Sequence, residues 1–102
     1  MDKVAGMLHL CNKAGQLVFG REAVLALSGR GEIALVLMAG DSGNDLKRKL
    51  SGMKTVNLDW SSREFGGLFG RNLLSVTGVK DKRFASEIER LLTGEGSGRN
   101  KV

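Results

Sequence analysis

The stretch from Gly15 to Asp41 constrains the fold of this chain more than any other. Two apolar runs, 17–19 and 33–39, flank a segment with helical periodicity, and Gly20 separates the first run from that helix. Strand, helix and buried strand in this order predict a β-α-β unit. Continuous apolar runs are typical of strands in a parallel sheet that is covered on both faces. The free N–H groups at the helix start would favour an anionic or electron-rich ligand.

The rest of the chain continues the alternation of helices and strands. An apolar stripe over residues 2–13 predicts an opening helix, and helical spacing recurs after residue 44. Short apolar or alternating runs at 54–58 and 73–77 predict two more strands. Between them, Ser61 and Glu64 have the spacing of a capping box, and Asp81 is placed to cap the last helix.

This pattern predicts an α/β domain, a three-layer α/β/α sandwich around a four-stranded mixed, mostly parallel sheet. The strand after Gly15 is short, so we expect it to be antiparallel or to lie at an edge of the sheet. We assign residues 1–93 to a single domain and residues 94–102, which are rich in glycine and polar residues, to a flexible polar tail.

Charge favours a polyanionic partner. The formal net charge is +5 and the isoelectric point is about 9.8, and the simplest polyanionic partner for such a domain is nucleic acid. Cys11 is the only cysteine and cannot form an internal disulfide, which fits a reducing compartment. Its place on an apolar helix stripe predicts a core residue. No apolar run reaches the ~18 residues of a membrane span. We therefore expect a cytoplasmic protein without membrane contact.

The motifs of several enzyme and cofactor classes are missing from the sequence. His9 is the only histidine, so no Cys/His metal set can be assembled. Gly40-Asp41-Ser42-Gly43 matches a serine-protease nucleophile segment, but the domain is too small for that fold and shows no triad. A phosphate loop and a dinucleotide loop are also absent. We therefore predict a non-enzymatic protein without a cofactor.

Three segments resemble one known family, the kink-turn-binding ribosomal proteins named for large-subunit proteins seven-Ae and thirty-e. The first segment is 8–20, with Leu, Cys, Ala and Gly leading into a strand that ends at Gly20. The second is 35–41, an apolar strand that ends in an acidic turn. The third and most specific is 62–71, SREFGGLFGR. The similarity covers residues 2–93 and is closest to the bacterial YlxQ-like branch.

The resemblance implies the same sandwich fold and binding of sharply bent RNA. Family members use the start of the helix after the first strand and the loop before the last strand. Such a site is physically reasonable, because a helix start offers donors to exposed base edges and cations neutralise crowded phosphates. With two lysines added as candidate phosphate contacts, the expected RNA-binding residues are Gly20, Arg21, Glu22, Gly70, Arg71, Asn72, Lys13 and Lys47.

The chain departs from the family motif at the helix start. The motif is Gly-x-Asn-Glu-x-x-Lys, whereas the segment from Gly20 reads GREAVLA, so the lysine is absent in either possible alignment. Glu22 can still accept hydrogen bonds from base amino groups, and Arg21 can contact a phosphate or a guanine edge. RNA binding that is weaker than, or different from, strict kink-turn recognition therefore remains open.

The leading hypothesis is a monomeric, ribosome-associated protein that binds structured RNA, either ribosomal RNA or a kink-turn. The alternative is a protein-interaction module that docks on a ribosomal protein or another ribosome-associated partner through Trp60, Phe65 and Phe69. An exposed apolar patch there would favour the alternative. The hypothesis of an enzyme that acts on small molecules is the least favoured.

Overall fold

The computed structural model describes the backbone of residues 2–101 and the side chains of residues 2–93. The predicted tail, residues 94–102, lies outside the described side chains, and its flexibility stays a prediction. Helices and strands alternate along the described chain: α1 Asp2–Lys13, β1 Leu17–Phe19, α2 Arg21–Gly29, β2 Leu35–Met38, α3 Asn44–Lys49, β3 Thr55–Asn57, α4 Ser62–Gly67, β4 Val76–Val79 and α5 Lys82–Lys101.

The four strands form one mixed sheet in the order β1-β4-β2-β3. The prediction of a mostly parallel sheet is wrong, because β4 is antiparallel to both β1 and β2 and only β2 and β3 pair in parallel. Strands β1, β2 and β3 do run in the same direction, as helical connections require. The loop after α4 stays at the end of the sheet where α4 begins, since the Leu74 N–H donates to the Ser62 carbonyl at 2.9 Å. Strand β4 therefore enters from that end.

Strand β4 begins three residues later than predicted. The apolar pair Leu73-Leu74 belongs to the preceding loop, and the strand continues through Gly78 to Val79. Glycine is unfavourable in most strands, but here Ile33, in the loop before β2, and Val24 of α2 pack directly on it. A Cβ on Gly78 would lie 2.8 Å from Cδ1 of Ile33 and 3.4 Å from Cγ2 of Val24. The missing side chain thus leaves room for Ile33 and for α2 against the sheet.

Helices cover both faces of the sheet, so the domain has helix, sheet and helix layers. On one face, α1, α4 and α5 pack on alternate residues of β2 around Leu8, Phe65 and Ile88. On the other face, α2 and α3 contribute Val24 and Leu46. Coverage of both faces accounts for the continuous burial of β2, because each side chain of the strand meets a helix layer. None of the described helices is long and apolar enough to cross a membrane.

The predicted caps at the starts of α4 and α5 are confirmed. Ser61 and Glu64 form a reciprocal capping box at the start of α4. The Asp81 carboxylate accepts hydrogen bonds from the backbone N–H groups of Arg83 and Phe84 at the start of α5. Such caps satisfy donors that have no partner within the helix.

The thiol of Cys11 is fully buried in the core between α1 and the sheet, as predicted. Burial raises the pKa of this thiol from 9.0 to about 11, with a smaller contribution from the Asp81 carboxylate. A low-dielectric site disfavours the thiolate. Cys11 is therefore a small apolar core residue and a poor nucleophile at neutral pH.

This pKa difference predicts a loss of stability at high pH. The neutral thiol is favoured in the folded state, so its contribution is complete below pH 9 and declines as the pH rises towards about 11. Urea unfolding between pH 8 and pH 11 should show a steeper loss for the wild type than for Cys11→Ala. The variant should be less stable at pH 8, because it leaves a small cavity. Parallel pH profiles for the two proteins would contradict the buried thiol's role.

Candidate nucleic-acid interface

A groove of about 340 Å³ lies at the end of the sheet where β1 and β2 finish and β4 begins. We call it the Arg21–Arg71 groove. Clefts beyond the carboxyl ends of strands are common ligand sites in α/β folds. Three chain segments line it, the start of α2, the start of α3 and the loop before β4, through Gly20, Arg21, Gly43, Asp45, Leu46, Arg71, Leu73, Leu74, Ser75 and Val76.

Gly20 lines the groove and immediately precedes α2. Its backbone has φ 94° and ψ 155°, a conformation that is open almost only to glycine. This turn lets the Gly20 N–H donate to the Val76 carbonyl at 3.1 Å, while the Gly20 carbonyl accepts from the Val24 N–H. Glycine has no side chain with which to cap the helix. The first N–H groups of α2 therefore stay available at the groove.

Arg21 crosses the groove to α3. Its Nη2 atom lies 3.0 Å from Oδ2 of Asp45, and the two side chains are 47% and 61% exposed. Asp45 is 24 positions further along the chain. No sequence pattern pairs the two residues, so Asp45 is a groove residue that sequence reasoning missed.

Arg71 is held by an aromatic ring on the other side of the groove. Its guanidinium carbon lies 4.4 Å from the centroid of the Phe19 ring. Phe19 in turn packs edge-on against Phe69, with 5.0 Å between centroids. A guanidinium over an aromatic face keeps its full charge while losing rotational freedom. Arg71 is thus exposed but restrained beside the groove.

The loop between α4 and β4 is fixed by hydrogen bonds at its second half. The Ser75 carbonyl accepts from the Ala39 N–H at 2.9 Å and from the Ser42 hydroxyl at 3.0 Å. Leu74 is anchored by the bond from its N–H to Ser62, and Ser62 donates to the Asp41 carboxylate through both its N–H and its hydroxyl. The acidic turn after β2 therefore positions the loop that lines the groove.

Leu73 adds an apolar surface to the groove. The residue is 64% exposed, while its neighbour Leu74 is 3% exposed. Sequence reasoning placed both residues in a strand. The alternation of side chains along an extended segment is the sequence signal that could have indicated that one of them faces outward.

The structure brings together some of the predicted RNA-binding residues and separates others. Gly20, Arg21 and Arg71 meet in the groove. Glu22 and Asn72 are exposed beside it, in the first turn of α2 and in the loop. Gly70, in the same loop, has φ 70° and closes the turn after α4 through the bond from the Arg71 N–H to the Gly66 carbonyl.

Two predicted phosphate contacts lie outside the lining of the groove. Lys13 ends α1, just before the amino end of β1, where the Lys80 N–H bonds to the Gln16 carbonyl. That is the opposite end of the sheet from Gly20. Lys47 is half-buried in α3, one residue beyond the part of that helix that lines the groove.

The aromatic residues of the protein-docking hypothesis belong largely to the core. Phe65 is completely buried and stacks on the half-buried Trp60, with 5.9 Å between ring centroids. Phe69 is also half-buried, between His9 and Phe19. The large apolar side chains that are exposed within the described residues are Leu10 and Leu73. The described side chains also contain no group of three or more His, Cys, Asp or Glu residues that could hold a metal.

Comparison with known proteins supports the fold. No family model matches the chain, and no curated protein matches it at a significant level. A solved structure of a protein of unknown function from Bacillus halodurans is similar, with a TM-score of 0.80 and 26% sequence identity. The match covers 89% of this chain and 97% of that protein.

Gly66 allows the loop to pack against α4, so a substitution at Gly66 should be much more destabilising than one at Gly67. A Cβ on Gly66 would lie 2.8 Å from the Arg71 carbonyl oxygen and 3.1 Å from the Leu73 carbonyl carbon. Gly66→Ala should therefore destabilise the domain by about 1–3 kcal/mol and displace the loop. Gly67 has no neighbour within 4 Å of such a Cβ, so Gly67→Ala should be neutral or stabilising by up to about 1 kcal/mol. Urea unfolding checks both values, and equal effects would rule out the close approach.

Proposed function

We propose that this protein binds structured RNA without catalysing a reaction, and that the Arg21–Arg71 groove is its binding surface. The observation that supports the proposal is the meeting of the start of α2 with the loop before β4, which line the same groove. These are the two segments that the resemblance to kink-turn-binding ribosomal proteins implies. We further propose a cytoplasmic, ribosome-associated role as a monomer.

The chemistry of the groove fits RNA better than a small anion. Two guanidinium groups offer planar donors for phosphates and base edges, and the start of α2 adds backbone N–H groups. The exposed Leu73 offers apolar contact, which suits an unstacked base more than a free phosphate. The net charge of +5 adds general attraction to a polyanion.

The protein-docking alternative has weaker support, because its proposed surface is mostly internal. Phe65 is inaccessible, and Trp60 is half-buried against it. We therefore place RNA first and keep a ribosome-associated protein partner as the second candidate.

The proposal is tested by titration against a kink-turn RNA and an unkinked duplex of equal length, each at two salt concentrations. We expect tighter binding to the kink-turn, because a bent RNA can fill the groove with closely spaced phosphates. Equal, salt-sensitive binding to both RNAs would show that the protein binds RNA by general charge attraction and does not select the kink-turn. No binding to either would favour the protein partner.

Variants of the two arginines locate the surface. Arg21→Ala and Arg71→Ala should each weaken binding to the kink-turn RNA about tenfold, and each should lower the slope of log affinity against log salt by roughly one. Arg71→Lys should keep the slope and still lose affinity, because lysine has no planar group to lie on Phe19. The matched control is Arg30→Ala, since Arg30 is 70% exposed at the far end of α2. If Arg21→Ala and Arg71→Ala weaken RNA binding no more than Arg30→Ala does, the groove is not the RNA-binding surface.

A further inference from the structure

Asp45 has an unusual position in a groove that should attract anions. It lies in the first turn of α3 and lines the same groove as Arg21 and Arg71. Three cations surround its carboxylate, Arg21 at 3.0 Å, Arg48 at 3.7 Å and Lys49 at 3.8 Å. Arg48 and Lys49 follow on its own helix, whereas Arg21 reaches it from α2.

The contact with Arg21 is the one that concerns binding. It is the shortest of the three and the only one with hydrogen-bond geometry. The Asp45 carboxylate therefore occupies a donor of Arg21 that a phosphate oxygen would otherwise take. Both side chains remain substantially exposed, and exposed ion pairs are individually weak. A ligand phosphate can therefore replace the carboxylate.

We propose that Asp45 is a built-in counter-anion of Arg21, which an RNA phosphate must displace from that guanidinium. The inference rests on the proposed function of the groove and deepens it. In the free protein the carboxylate neutralises Arg21 and sets its direction. During binding it competes with the RNA phosphate for that donor of Arg21 and repels the phosphate that binds there. It thereby lowers the affinity of the groove for any polyanion that uses Arg21.

The test compares Asp45→Asn with a matched charge change outside the groove. Asparagine keeps the size of the side chain and removes its charge. The control is Asp59→Asn, because Asp59 is exposed, follows β3 and does not line the Arg21–Arg71 groove. Titrations use the kink-turn RNA and the straight duplex at low salt, and thermal unfolding verifies that both variants are folded.

Asp45→Asn should raise the affinity for RNA roughly three- to fivefold, the upper part of the range expected for an exposed ion pair. Asp59→Asn should change it by less than about twofold, because Asp59 does not line the groove that holds Arg21. In the Arg21→Ala background the gain from Asp45→Asn should also fall below about twofold. Equal gains from Asp45→Asn and Asp59→Asn, a gain that persists without Arg21, or a loss of affinity in Asp45→Asn would each overturn the counter-anion.

A polyanion without bases separates this inference from the RNA function. Asp45→Asn should elute from immobilised heparin at higher salt than the wild type and than Asp59→Asn. That shift, together with no binding of either RNA, would support the counter-anion and overturn the RNA function. If the protein binds RNA, but Asp45→Asn and Asp59→Asn behave alike on both RNA and heparin, the RNA-binding function is supported and the counter-anion role of Asp45 is overturned.

Discussion

The antiparallel insertion of β4 between β1 and β2 determines where every other functional feature lies. Val76, the first residue of β4, pairs with Met38 at the end of β2, and Thr77 pairs with Phe19 at the end of β1. The loop before β4 is therefore delivered to the ends from which α2 and α3 depart. A parallel β4 would have placed that loop at the opposite end of the sheet. The groove exists because one strand runs against the other three.

Packing then fixes the loop in place. The Ser75 carbonyl is held from β2 and from the turn after it, and Leu74 is held from α4. Gly66 permits the backbone of the loop to lie against α4 without a side chain between them. A surface that is ordered before its ligand arrives loses less conformational entropy on binding. The same contacts that stabilise the fold thus also prepare the groove.

The sequence reveals those features that depend on neighbouring residues. Helix periodicity, the capping box at Ser61 and the cap at Asp81 act within one or two turns, and each was predictable. The position of β4 was not predictable, because the strand includes Gly78, whose place there depends on the packing of Ile33 over it. The exposure of Leu73 was not predictable either, because it depends on the path of the loop. The groove itself was only partly predictable: Arg21 and Arg71 follow from the resemblance, but Asp45 joins them only through the approach of α3 to α2.

The two arginines are restrained by different means, and this difference bears on what the groove can select. Phe19 orients Arg71 without reducing its charge, whereas Asp45 orients Arg21 and neutralises it. The residues that line the groove include two guanidinium groups and one carboxylate, and Arg48 and Lys49 place two more cations at 3.7 and 3.8 Å from that carboxylate. This local charge, together with the net charge of the whole domain, would attract RNA at long range without selecting among RNAs. Under the proposed function, selection within the groove depends on the direction of its donors and on Leu73, so a bent RNA is distinguished by shape more than by charge density.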